Sequence, residues 1–260
     1  MANEYQEIVN KLNPKDKELF MESIIEEIYN SYDFNKSYCP VCEKSFNMFL
    51  PFNGRKYALC PECSSVERHR LVYYYLKNKT ILLSRKISFL DLSPHYSFIN
   101  KFNDLKNVNY VTLDSSNGEG NKDKIKMDNL PFEDNSFDVI FNYFNLPKIN
   151  QIEVLKEFHR VLNTNSNSCL LLFNFFDFDS DKTIKTHNKQ VYGTDFLDGL
   201  KDIGFDIKVY NPNDIVSDEK LIKKYGILSS EIFIVCTKNK TKMSKSTKRS
   251  AKLKSPRRGR

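Results

Sequence analysis

The stretch from Lys86 to Phe175 most constrains what this chain can fold into. It contains KISFLDLSPHYSF, NVNYVTLD, KIKMDNLPFEDNSFDVIFNYF, IEVLKEFHRVLN and SCLLLFNF. Short apolar runs rich in Ile, Val, Phe and Tyr alternate with segments of helical period. That alternation predicts βαβ units and a parallel sheet. Asp91, Asp114 and Asp128 fall at or just after the ends of predicted strands. Open α/β sheets bind ligands outside the carboxyl ends of their strands. A nucleoside-containing ligand is therefore the first expectation, with these carboxylates as candidate contacts.

The cysteines add a second constraint. Four of the six form Cys39-Pro-Val-Cys42 and Cys60-Pro-Glu-Cys63, two Cys-x-x-Cys pairs separated by seventeen residues. Such spacing is that of structural zinc sites. Zn²⁺ takes four thiolates as a tetrahedron, and each short loop grips one edge of it. Phe46 to Phe52 and Tyr57 to Leu59 flank Asn53-Gly54, a hairpin-turn dipeptide. Together these predict a ribbon clamped by metal at one end. Four thiolates on Zn²⁺ leave a local charge of −2, which Arg55, Lys56, Arg68 and Arg70 are close enough in sequence to offset. Two redox-active pairs are the alternative, but neither sits in a thioredoxin-like βαβ unit. Iron in the same cage is the other.

Taken in order, the motifs resemble a known family. The pieces are the two cysteine pairs, the second continuing as Ser64-Ser-Val-Glu-Arg-His-Arg70, then Leu90 to Pro94, Asp128-Asn-Leu-Pro-Phe132, Asn135-Ser-Phe-Asp-Val-Ile140, Arg160-Val-Leu162, and Tyr192-Gly-Thr-Asp-Phe196 with Gly204-Phe205. Over residues 38–210 they resemble the class I S-adenosylmethionine-dependent methyltransferases, type 11-like. More narrowly, they resemble a subgroup with a four-cysteine zinc ribbon directly before the methyltransferase domain. The resemblance implies an α/β fold: a Rossmann-like methyltransferase sheet with helices on both faces, preceded by N-terminal helices and a small zinc ribbon. The domains expected are N-terminal helices over 1–32, the ribbon over 33–72, the methyltransferase-like domain over 73–238, and a disordered basic tail over 239–260.

The same resemblance implies S-adenosylmethionine as cofactor and a set of residues to hold it. The loop after the first strand, Asp91-Leu-Ser-Pro-His95, has no glycine, where most such enzymes have several. In the ribbon-bearing subgroup an Ala-Pro-Glu type loop stands there. Ser93 and Pro94 match that pattern, and His95 replaces its acid. Asp114 is expected to accept from ribose hydroxyls, as carboxylates at strand ends do in dinucleotide folds; an exposed loop carboxylate is the alternative. Asp128 is expected near the adenine amino group, with Leu130 against the ring. Phe137 reads as core. Asn142 is retained from an Asn-His-x-x-Glu-His run in relatives, whose His and Glu are missing here. Tyr143, Asn142 and His187 are the nearest candidates to take a proton from an acceptor, and the acceptor itself is not legible. His69 reads as a packing residue near the ribbon or a support for its metal ligands; a fifth residue of the metal shell, a phosphate contact and plain surface are the alternatives.

Charge divides the chain. Residues 238–260 carry eleven Lys or Arg and no acid, which against a total of +7 leaves the rest at −4. The tail is low-complexity and basic, suited to nucleic-acid phosphates, to nuclear import or to solubility. Residues 2–31 read as two helices split at Pro14, with Asn13 capping the second and Leu19, Phe20, Ile24, Ile25 and Ile28 forming a stripe to pack on the body. No apolar run is long enough for a membrane span. The polar N-terminus is not a secretory signal, and the cysteine usage suits a reducing compartment. An intracellular location, cytoplasmic or nuclear, is expected. Two functions follow: a methyltransferase with a structural zinc ribbon, or a catalytically degenerate scaffold that binds nucleic acid through ribbon and tail.

Overall fold

A computed structural model of the chain describes residues 13–31, 37–92, 94–113, 126–143, 146, 150–165, 167–173, 176–185 and 190–239. The first predicted helix, the loop 115–123 and the basic tail beyond 239 lie outside them. Helix α1 (Pro14–Ser31) starts as expected: Asn13 Oδ1 accepts from the Asp16 amide at 3.0 Å. Of its expected stripe, Leu19 and Ile25 are 55% and 59% exposed, and the side chains of Phe20, Ile24 and Ile28 lie outside the described residues.

The cysteine segment forms two hairpins, not the single one expected. Strands β1 (Ser37–Cys39) and β2 (Lys44–Phe46) pair around the first Cys-x-x-Cys, and β3 (Leu50–Phe52) and β4 (Arg55–Leu59) pair ahead of the second. The Asn53-Gly54 turn has φ of 47° and 72°, the left-handed pair that a tight hairpin requires. Helix α2 (Glu67–Asn78) follows and delivers Leu71, Val72, Tyr75 and Leu76 to the core.

The body is a six-stranded sheet built from β5 (Ile87–Asp91), β6 (Val108–Thr112), β7 (Val139–Tyr143), β8 (Cys169–Phe173), β11 (Phe205–Tyr210) and β12 (Phe233–Lys238), in the order β11-β12-β8-β7-β5-β6. β5 to β8 are mutually parallel, and β12 runs against both its neighbours. The apolar runs of β7 and β8 are buried on both faces, as central parallel strands must be. On one face Phe89, Phe141, Leu171, Phe173 and Phe233 pack with α2 and with α3 (Tyr96–Asn103). On the other, Leu90, Ile140, Leu170, Leu172 and Ile234 pack with α4 (Gln151–Val161) and α5 (Thr194–Ile203). Helices thus cover both faces.

A short hairpin, β9 (Ile184–Lys185) with β10 (Gln190–Val191), precedes α5. Gly193 is required at the junction, since a Cβ there would lie 2.7 Å from the Ser180 and Lys182 backbone. Two short helices not foreseen in the sequence, α6 (Pro212–Ile215) and α7 (Glu219–Lys224), join β11 to β12. The chain leaves β5 toward β6 on one side, then returns past β5 to build β7 and β8 on the other. The order reverses between β5 and β7, so the crevice for a ligand lies at their carboxyl ends.

Candidate cofactor site and four-cysteine centre

The carboxyl ends of β5 and β7 meet in register, Asp91 opposite Phe141. The chain leaves β5 between its neighbours: the Leu92 amide donates to Phe141 O at 2.9 Å, and the Leu113 amide donates to Asp91 O at 2.9 Å. Asp91 is fully buried and accepts from the Tyr110 hydroxyl at 2.5 Å. Burial and the Asp91 charge beside it push the Tyr110 phenol far above its ordinary range. The phenol therefore stays a donor, and Asp91 is fixed as an acceptor at the strand end.

Asn142 follows in β7 on the face shared with Leu90, Leu92 and Ile140. It is 1% exposed, and among the described residues neither its amide nitrogen nor its amide oxygen has a hydrogen-bond partner. A buried unpaired amide costs about 1–3 kcal/mol. Pro94 is half-buried in the loop after β5, and Ser93 lies outside the described residues. Asp128 is exposed in the turn near the start of the described segment 126–143, and Leu130 is buried in the α4-side core beside Leu92 and Phe137. Helix α4 holds that turn: Glu157 accepts from the Leu130 amide at 2.9 Å, while Arg160 donates to Leu130 O at 3.0 Å and to Phe132 O at 2.7 Å. The Arg160 of the family motif is thus a brace for the acidic loop. Asp114 and His187 lie outside the described residues.

The four predicted cysteines converge. Their Sγ atoms all lie within 4.8 Å of one another, with Cys39–Cys63 and Cys42–Cys60 each at 3.7 Å. A thiolate tetrahedron about 2.3 Å from Zn²⁺ has edges of about 3.8 Å, so the donor set fits that ion without rearrangement. Ser65, fully buried, lies between the pairs: its hydroxyl oxygen accepts from the Cys63 thiol at 3.3 Å and is 3.2 Å from Cys39 Sγ, to which its own proton is free to point. Hydrogen bonds among the crowded thiols pull Cys39 far below the ordinary thiol range and push Cys42 and Cys63 above it. Cys169 and Cys236 are buried in β8 and β12, away from this cluster.

Of the four basic residues near the ribbon, Arg70 serves the thiolates. It is fully buried, and the thiolates hold its charge up against the burial that pulls its pKa down. Its guanidinium donates to Ser65 O and Tyr225 O at 2.6 Å each, to Gly226 O at 2.7 Å and to Ala58 O at 2.9 Å, and it lies 4.0 Å from the Phe49 ring centre. Arg55 instead pairs with buried Glu67 at 2.9 Å, and Arg68 with Glu231. Lys56 is exposed.

Sequence reasoning missed what surrounds Tyr143. Arg68 donates to its hydroxyl and lies 4.7 Å from its ring centre. Burial raises the Glu231 pKa, opposed by Arg68. Burial likewise raises Tyr143. The helix after the ribbon thus brings Arg68 to the carboxyl end of β7, 75 residues on, in an ion pair whose acid, Glu231, is 163 residues away. Only the motif Glu67-Arg-His-Arg70 hinted at it.

Residues 105–169 match the sequence pattern of a family described as "Methyltransferase domain". No curated protein matches the chain. Among solved structures, a Listeria monocytogenes protein described as an S-adenosylmethionine-dependent methyltransferase is 13% identical, with a TM-score of 0.41 over 67% of this chain and 97% of that one. A Galdieria sulphuraria protein described as a sarcosine dimethylglycine methyltransferase is 14% identical, with a TM-score of 0.43 over 82% and 95%. The Haloferax volcanii complex of the Trm112 methyltransferase activator with a protein described as a methyltransferase gives 14% and 0.41, over 66% and 93%. With residues 105–169 matched, a largely parallel six-stranded sheet and a four-cysteine cluster ahead of it, the resemblance is to the class I S-adenosylmethionine-dependent methyltransferases.

Proposed function

We propose that the chain transfers a methyl group from S-adenosylmethionine, and that its four cysteines hold one structural Zn²⁺. The observation carrying the first half is Asn142, a buried amide without a partner among the described residues, near the carboxyl end of β7 and beside the point where the strand order reverses. S-adenosylmethionine, when bound, supplies an activated methyl on a sulfonium leaving group. The protein's part is to bind, align and exclude water. Asp91 shapes the floor of the crevice through its bond to Tyr110. Ser93 and Pro94 would carry the loop against the cofactor, and Asn142 would offer its amide. Asp114, two residues beyond β6, would accept from the ribose hydroxyls. Asp128 would face the adenine amino group, with Leu130 forming the apolar wall beneath. The zinc half rests on the sulfur geometry, in which two edges already have tetrahedral length.

Calorimetry with the purified, zinc-loaded chain tests the cofactor. Losing a charged acceptor costs about 1.5–3 kcal/mol, so Asp114→Ala weakens S-adenosylmethionine binding roughly ten- to a hundred-fold. Asp134→Ala is the control, because the Asp134 side chain is 70% exposed and Arg160 keeps its bonds to Glu157, Leu130 O and Phe132 O without it. It leaves binding nearly unchanged. Tight binding indifferent to Asp114→Ala moves the site elsewhere. No binding by wild type at millimolar cofactor leaves the scaffold reading in its place.

The basic tail is a separate expectation. Its eleven cations release counterions from any phosphate backbone, so weak nucleic-acid binding falls steeply with salt. Truncation after Lys238 abolishes that binding in a mobility-shift titration. Undiminished binding by the truncated chain assigns the contact to the ribbon or body.

A further inference from the structure

We propose that His69, at the start of α2, is a positioning residue for the cofactor loop. From the ribbon side it holds in place the glycine-free turn after β5. This rests on reading that turn as a cofactor contact. The His69 and His95 rings stack with centroids 4.1 Å apart and planes inclined by 24°. His69 is 2% exposed, and Phe98 of α3 closes its other side edge-on at 5.0 Å. Each ring is locked by its own backbone. The Val66 amide donates to His69 Nδ1 at 3.2 Å, and the Ser97 amide donates to His95 Nδ1 at 3.2 Å. With both Nδ1 atoms accepting, the neutral rings carry their protons on Nε2. Burial lowers the pKa of both, which keeps the stack uncharged.

His95 is also the cap of α3. Fixing its ring therefore fixes where the loop ends and where the helix begins. Glycines ordinarily let such a loop approach its ligand by backbone freedom. Here a side-chain stack from a separate element defines the path instead. The neighbouring residues explain why His69 is rigid enough to do so. Arg68 is tied to Tyr143 and Glu231, and Arg70 to four carbonyls of the ribbon and of the turn after α7. His69 sits between two anchored arginines.

Three variants test this in the full chain: His69→Ala, His69→Phe and, from the loop side, His95→Ala. Zinc content by metal analysis and the thermal midpoint are measured for each. Hydrogen exchange of the amides of residues 92–98 is the readout that needs no cofactor. His69→Ala raises that exchange at least tenfold while keeping one zinc per chain. His69→Phe, which keeps an aromatic face on His95 but not the Nδ1 acceptor, restores protection to within threefold. His95→Ala reproduces the loosening and serves if His69→Ala does not fold. S-adenosylmethionine binding weakens about tenfold in both Ala variants and recovers in the Phe variant. Wild-type exchange in both Ala variants overturns the proposal, as does a Phe variant as loose as the Ala one. Failure of wild type to bind S-adenosylmethionine, with exchange changing as described, removes the cofactor reading alone.

Discussion

Purified without chelators, the protein carries one zinc per chain, and replacing Cys39 and Cys60 by serine removes it. Each of these two is fully buried, one from each Cys-x-x-Cys pair, so the double variant opens both edges of the tetrahedron. Structural zinc contributes about 10–16 kcal/mol of apparent binding free energy in isolated peptide sites at neutral pH. The ribbon's own buried apolar side chains, Val41, Phe49, Ala58 and Val66, offset a fraction of that, at about 1.5–3 kcal/mol for each large one. Chelation therefore unfolds the ribbon, and limited proteolysis cuts between residues 40 and 63 while the sheet persists. The thiolates must be deprotonated to bind, so metal affinity falls as pH falls. Iron in the same cage colours the protein, whereas d¹⁰ zinc does not. A zinc content near zero, or a ribbon indifferent to chelator, sinks the assignment.

Arg70→Met lowers stability by about 3–5 kcal/mol, a large fraction of the roughly 5–15 kcal/mol of an ordinary domain. The guanidinium satisfies four carbonyls at 2.6–2.9 Å. A hydrogen bond to a charged group contributes about 1.5–3 kcal/mol, and the unpaired acceptors left behind carry their own desolvation cost. Methionine recovers the packing over Phe49 but none of the bonds. Arg70→Lys keeps the charge and loses the planar fork, so it falls between the two. Urea denaturation reads the difference as a fall in midpoint. Gly226, whose carbonyl is one of the four, has φ of +55° and no room for a Cβ, which would lie 2.5 Å from Phe49. That turn cannot shift to compensate. A change under about 1 kcal/mol in Arg70→Met makes Arg70 dispensable.

Much of this architecture was legible because it is written in local periods. The quoted apolar runs hold β5, β7 and β8, IEVLKEFHRVLN holds most of α4, and the Asn53-Gly54 turn forms at its dipeptide. The cysteine cluster was legible because metal chemistry ties ligand spacing to loop length. Other features have no local signature. α6 and α7 span four and six residues, too short for a helical period to register. Arg70, Glu67 and Glu231 are charged residue types that read as surface, and their burial follows from partners far along the chain. The His69–His95 stack joins residues of two elements. His95 looked like a lost acid, because a motif comparison registers the missing residue and not the one that replaces its function. On α1, Leu19 and Ile25 of the expected stripe are exposed: a helical period does not by itself say what covers an apolar residue.

The anchors of the Arg68-His69-Arg70 segment set an order on synthesis. The ribbon leaves the ribosome early, yet Arg70 waits for Tyr225 and Gly226, and Arg68 for Glu231, 155 to 163 residues later. At roughly 5–20 residues per second, that delay is on the order of ten to thirty seconds. Throughout it, the nascent ribbon has its cysteines and Phe49 but not the turn that seals them. On the proposed zinc site, metal capture precedes docking, and a shortage of zinc is felt during translation, before the turn after α7 is made.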